Sequence, residues 1–112
     1  MAIPVRQTKT EQKEPSNTTS STITAPAGIV DGDVLIITLA TDGDQSAAIT
    51  WPTGFTSIAE VNSGIRACAA AAYKIALGES GNYTVSWPDN EQAILHMYRV
   101  NGAVSGAEIQ DP

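Results

Sequence analysis

Turn-forming residues punctuate this chain at a near-constant interval, and that spacing limits the fold more than any other feature. Pro26-Ala27-Gly28, Asp31-Gly32-Asp33, Asp42-Gly43-Asp44, Pro52-Thr53-Gly54, Asn62-Ser63-Gly64, Gly78 to Asn82, Pro88-Asp89-Asn90 and Asn101-Gly102 follow one another at roughly ten-residue spacing, the signature of short strands rather than helices. The expected fold is all-β, an antiparallel β-sandwich of jelly-roll or immunoglobulin-like form.

The segments between the breaks have strand patterns. Val34 to Ala40 is almost wholly apolar, which predicts a central strand covered on both faces. Phe55 to Val61 mixes polar and apolar positions, as a half-buried strand does. Tyr83, Val85 and Trp87 alternate with Thr84 and Ser86, so those three share a core-facing side. Ala93 to Val100 is a further strand rich in large apolar residues. Ile65 to Leu77 reads two ways. Its stretch from Ala67 to Ala72 favours a helix by intrinsic propensity. Its apolar residues nevertheless recur at period two (Ile65, Ala67, Ala69, Ala71, Tyr73, Ile75, Leu77), with Arg66 and Lys74 on the other side. That periodicity predicts a strand with the odd positions in the core.

Residues 1–21 differ from the rest. From Gln7 to Ser21 there is almost no apolar residue, and Pro15 interrupts the run. Such a stretch cannot offset its own ordering entropy by burial. The expected organisation is a polar, extended N-terminal arm over residues 1–21 and a β-sandwich domain over 22–112. The arm is either a loose tail or a segment that orders against a partner.

Composition narrows the function. The chain has 112 residues, a net charge of −6 and six basic residues, and Arg6, Lys9, Lys13, Arg66, Lys74 and Arg99 are scattered. No phosphate-tracking surface is expected, hence no nucleic-acid partner. No run approaches a membrane-spanning helix, so no membrane partner is expected. Met1 to Thr10 lacks the apolar core of a signal peptide, which predicts a protein made in the cytoplasm; the glycosylation-like patterns at Asn17 and Asn82 then mean little. Cys68 is the single cysteine; flanked by alanines, it reads as a buried, inert thiol.

In order along the chain, five motifs resemble a domain of bacteriophage structural proteins found in tails, fibres and head surfaces. They are Pro26-Ala27-Gly28-Ile29-Val30-Asp31-Gly32-Asp33-Val34-Leu35-Ile36, Ile49-Thr50-Trp51-Pro52-Thr53-Gly54-Phe55, Ala72-Tyr73-Lys74-Ile75-Ala76, Gly81-Asn82-Tyr83-Thr84-Val85-Ser86-Trp87 and Met97-Tyr98-Arg99-Val100-Asn101-Gly102-Ala103. The last departs from the domain's pattern, in which a glycine follows the arginine directly. The resemblance covers Ile23 to Ala103. It implies a β-sandwich and membership of a virion, with no catalytic residues to carry over.

No constellation for catalysis is evident. His96 is the sole histidine and reads as an ordinary strand residue; no nucleophile elbow or phosphate loop accompanies it. No enzyme activity and no cofactor are expected. Asp31, Asp33, Asp42 and Asp44 are weak Ca²⁺ candidates if their two loops meet in space, although Asp-Gly-Asp is also what a tight turn requires. Trp51 is a possible glycan contact, whereas Trp87 reads as core.

The leading expectation is a non-enzymatic capsid decoration, or cement, protein. It would bind the major capsid protein or another virion protein and assemble as a homo-oligomer, a trimer being favoured. In the arm, Ile3, Pro4 and Val5 are apolar anchors and Arg6, Lys9 and Lys13 meet acidic groups on the capsid. The alternatives are a tail or fibre component, or a carbohydrate-binding module for host attachment.

Overall fold

The computed structural model describes residues 5–63, 66–79 and 81–101, and over these the chain is all-β. Five strands form: β1 Val5–Thr24, β2 Val34–Thr41, β3 Thr56–Asn62, β4 Cys68–Ile75 and β5 Asn82–Asn101. Every pairing is antiparallel, and the spatial order is β1-β5-β2-β4-β3.

The first and last strands are far longer than the turn spacing predicts. β1 and β5 each have 20 residues, which extended would span about 66 Å, yet the longest dimension of the molecule is 43 Å. The ribbon they form therefore bends back on itself. Thr10 Oγ1 donates to the Thr24 carbonyl at 2.6 Å, and Ser21 Oγ donates to Glu14 Oε2 at 2.5 Å, although each pair lies within β1. The corner falls where the register slips, between Glu14↔Ala93 and Ser20↔Ser86, with Pro15 on one strand and Pro88 on the other. Proline lacks the N–H a regular ladder needs, so the pairing breaks there. Trp87 Nε1 donates to the Thr18 carbonyl at 2.7 Å across the corner.

This bend supplies the second layer. The far half of the ribbon folds over the rest of the sheet, and Thr50 joins it through reciprocal backbone bonds with Ser86. Ile23, Tyr83, Val85, Trp87 and Ile49 from that layer share one core cluster with Leu35, Ile37, Leu39, Ala70, Leu95 and Met97. The all-β antiparallel class is as expected, while one folded sheet, rather than two separate ones, makes the layers.

Several local expectations change. Residues 5–21 are not set apart from the sheet: Val5–Thr24 is an edge strand hydrogen-bonded to β5, and the expected boundary at 21/22 falls inside it. Backbone pairing needs no apolar side chains, which is why a polar stretch can join the sheet. Its inward positions interlock by polar contacts, Thr8 Oγ1 donating to Ala27 O at 2.9 Å and Gln12 Nε2 to Glu14 Oε2 at 3.0 Å. The runs at Tyr83–Trp87 and Ala93–Val100 are halves of one strand. Ile65 to Leu77 forms a strand over Cys68–Ile75, but its core-facing residues are the even ones, Cys68, Ala70 and Ala72. β2 is central, as expected, with Leu35, Ile37 and Leu39 inside; among the described residues no second layer covers its opposite face, on which Val34 is buried, Ile36 and Thr38 are half-buried and Ala40 is exposed.

The Asp-Gly-Asp breaks act as turns. Gly32 has φ 94°, a conformation side chains resist. Asp33, 3% exposed, accepts from Val30 N at 3.0 Å and from Arg99 Nε at 2.7 Å, tying the start of β2 to the end of β5.

Val85 is fully buried in the folded-over layer. Val85→Asp should abolish cooperative folding, since an unpartnered carboxylate there costs several kcal/mol, about the whole stability of a small domain. A soluble variant with a sharp thermal transition would contradict this placement of β5.

Candidate interaction surface

The side of the sheet away from the core is an extended surface of consistent character. Cross-strand pairing arranges it in four rows across β5, β2, β4 and β3: Ile94–Ala40–Ala69–Val61, His96–Thr38–Ala71–Ala59, Tyr98–Ile36–Tyr73–Thr56 and Val100–Val34–Ile75. None of these residues is Asp, Glu, Lys or Arg. Most are half-buried or exposed; Val61 is 62% and Ile75 38% exposed.

The relief is uneven. The first two rows are half alanine and form an open depression lined by Ala40, Ala59, Ala69, Ala71, Ile94 and His96. The next rows stand higher with Tyr98, Ile36 and Tyr73, and His96 stacks on Tyr98 with ring centroids 6.1 Å apart. Along β1 the face ends in alternating charge: Lys9 opposite Tyr98, Glu11 opposite His96 and Lys13 opposite Ile94. Glu11 lies 3.3 Å from Lys13 Nζ and 3.5 Å from His96 Nε2.

The sheet's two edges are unlike. β1 carries Lys9, Glu11, Lys13 and Pro15, the residue types that discourage strand addition. β3 carries no lysine or proline, is mostly exposed on both sides, and presents Ile58 at 50% exposure beside a bulge. Its single charge, Glu60, accepts from Ile49 N at 3.2 Å.

The residues singled out from sequence are spread apart. Ile3 and Pro4 lie outside the described residues. Val5 and Arg6 pair through their backbones with Asn101 and Val100, while Lys9 and Lys13 project from exposed positions of β1. Asp31 and Asp33 precede β2, and Asp42 and Asp44 follow it, so the two loops are at opposite ends of an eight-residue strand, about 25 Å apart. Asp31 accepts from Gly78 N at 2.8 Å and Asp42 from Gln92 N at 3.1 Å. Glu91 meets Asp42, and their hydrogen bond, a little burial, and the charges of Asp42 and Asp89 raise its pKa. Among the described residues no group of three or more histidines, cysteines or carboxylates is arranged to hold a metal ion. Trp51 is half-buried, packed against the core cluster. Trp87 is core.

Cys68 is 1% exposed, and burial, with the charges of Glu60 and Asp44, raises its thiol pKa. A neutral thiol there is a poor nucleophile. The tightest ionisable group is Glu79, which receives Lys74 Nζ at 2.7 Å, Tyr83 OH at 2.6 Å and Leu77 N at 3.0 Å. It joins the end of β4 to the start of β5, a structural task.

Sequence reasoning misses the outer face because a period-two apolar run reads as core-facing. The odd residues of β4 carry the signal, but periodicity alone places them inside.

Burial alone would raise the Glu79 pKa, but the bonds from Lys74, Tyr83 and Leu77 outweigh it and hold it below the ordinary value. A depressed carboxyl stabilises the fold above its unfolded pKa of about 4.3 and loses that contribution as pH falls through the folded value. Glu79→Gln should therefore cost about 1–3 kcal/mol at neutral pH and flatten the acid limb of stability in urea melts. Parallel pH profiles for the two proteins would sink this assignment. In comparisons with known proteins, no family model, no curated sequence and no solved structure matches this chain.

Proposed function

We propose that this protein is a non-enzymatic structural component of a bacteriophage particle, acting by burying surface against other virion proteins. The five ordered motifs support the virion setting. The observation that carries the mode of action is β3, an exposed edge strand without lysine or proline beside an uncharged sheet face. Such an edge accepts an extended segment of another chain, with main-chain bonds giving affinity and alternate side chains giving selectivity. Around it, the carboxylates are engaged in turns and ion pairs: Asp33 with Arg99, Asp31 with Gly78 N, and Glu79 with Lys74.

Within the particle the favoured role is a decoration protein on the head, adding association free energy across capsid subunits. A carbohydrate-binding role is disfavoured by the packing of Trp51. A tail position uses the same surfaces, so the decision is experimental.

Purified protein mixed with accessory-stripped heads and, separately, with tails should sediment with heads in a saturable ratio. Ile58→Lys, which places a charge on the open edge without entering the core, should weaken that binding at least tenfold while leaving the melting temperature within a few degrees. Binding to tails alone would overturn the head assignment, and binding to neither would overturn the virion reading.

A further inference from the structure

The outer sheet face is shaped to pack against itself, and we infer that two copies of this chain join through it about a two-fold axis. The axis lies in the plane between the faces, perpendicular to the strands, and passes between the row of His96 and the row of Tyr98. Three observations lead to this partner rather than another.

The first is relief. A two-fold in that position exchanges the second row with the third and the first with the fourth. The third row of one copy then lies over the second row of the other, Tyr73 facing Ala71 and Ile36 facing Thr38 by the register of β2 and β4, with the Tyr98 and His96 rings meeting at the β5 margin. Large residues opposite small ones are what allow two sheets to interdigitate at about 10 Å separation. A contact of this kind is isologous, so each complementary pair occurs twice.

Charge is the second. The same operation brings the rows of β1 into reciprocal register: Lys9, level with Tyr98, faces Glu11 of the second copy, level with His96, and the converse. The four central rows contribute no formal carboxylate or ammonium. The acidic groups that give the chain its charge of −6 lie largely off this face, at Asp31, Asp33 and Glu79 at one end of the sheet and at Asp42, Asp89 and Glu91 at the other. Two acidic molecules can thus meet here without opposing their carboxylates.

The third is area. Four strands by four rows span about 19 Å by about 27 Å, roughly 500 Å² per copy and about 1,000 Å² for the pair, the threshold for a specific interface. Stacking leaves both β3 edges at the margin of the pair, open for the docking described above. The inference does not depend on the virion setting.

Sedimentation equilibrium of the full chain, without particles, tests it. The wild type should behave as a dimer at micromolar concentration. Ala40→Arg, at an exposed position of the alanine floor, should give a monomer with an unchanged thermal transition. Lys9→Glu should weaken dimerisation about tenfold by setting a new carboxylate against Glu11 of the second copy, and the double swap Lys9→Glu/Glu11→Lys should restore it. The charge swap leaves the core alone, so it reads the interface even if the arginine variant misfolds. A monomeric wild type would overturn the inference, as would a dimer indifferent to both Ala40→Arg and the swap, or a double swap no tighter than the single change. Because this assay contains no particle, a dimer that fails to sediment with heads or tails would count against the virion role alone.

Discussion

The back-bend of the β1–β5 ribbon is the constraint on which the remaining structure depends. A flat sheet of five strands would leave one apolar side uncovered by any partner, and a single-layer sheet cannot hold a dry core. Folding the ribbon at Pro15 and Pro88 brings Ile23, Val85 and Trp87 over Leu35, Ile37 and Leu95. The fold is held at its corner by groups of known valence. Trp87 Nε1 finds the Thr18 carbonyl, and the buried side chain of Gln45 bonds the Asp89 backbone in both directions, donating to its carbonyl and accepting from its N–H. A buried indole or amide left without these partners would cost about 1–3 kcal/mol.

The same bend explains where the polar groups lie. Each end of the β2–β4–β5 layer needs loops that reverse the chain, and those loops together with the corner of β5 hold seven of the twelve acidic residues. At one end Asp33 and Arg99 form a largely buried pair at 2.7 Å, and Glu79 gathers Lys74 and Tyr83. At the other, Asp42, Asp89 and Glu91 crowd together beside Gly43, whose missing side chain leaves room for the Glu91 carboxylate. The outer face between those ends keeps its uncharged character. An acidic protein can in this way present a neutral surface, and the edge strands on its two flanks are treated differently, one charged and one open.

Particular elements show how far the sequence could be read. The turn residues located every loop, because Gly, Pro, Asn and Asp act through their own backbone preferences. Val34–Thr41 and the alternation of Tyr83, Val85 and Trp87 were legible because period and burial agree there. Pro88-Asp89-Asn90 misled: it reads as a turn between two strands, whereas the chain continues as one strand bent through a corner. The polar stretch from Gln7 to Ser21 misled in the opposite sense, since its place in the sheet comes from backbone pairing with β5. The candidate site was the least legible part. Of the candidate residues that sequence alone suggests, Lys9 and Lys13 border the outer face, and none lies within its four rows.

By itself, then, the sequence determined the class of the fold, the central strands β2, β3 and β4 and the loops between them, because those depend on local propensity and on the period of apolar residues. Tertiary structure alone decided which apolar face became core. On β4 both faces are apolar, Cys68, Ala70 and Ala72 on one and Ala69, Ala71 and Tyr73 on the other, so periodicity carries no sign. The returning half of the ribbon covers one side of the sheet, and the side it covers is the core. The other is left as a surface.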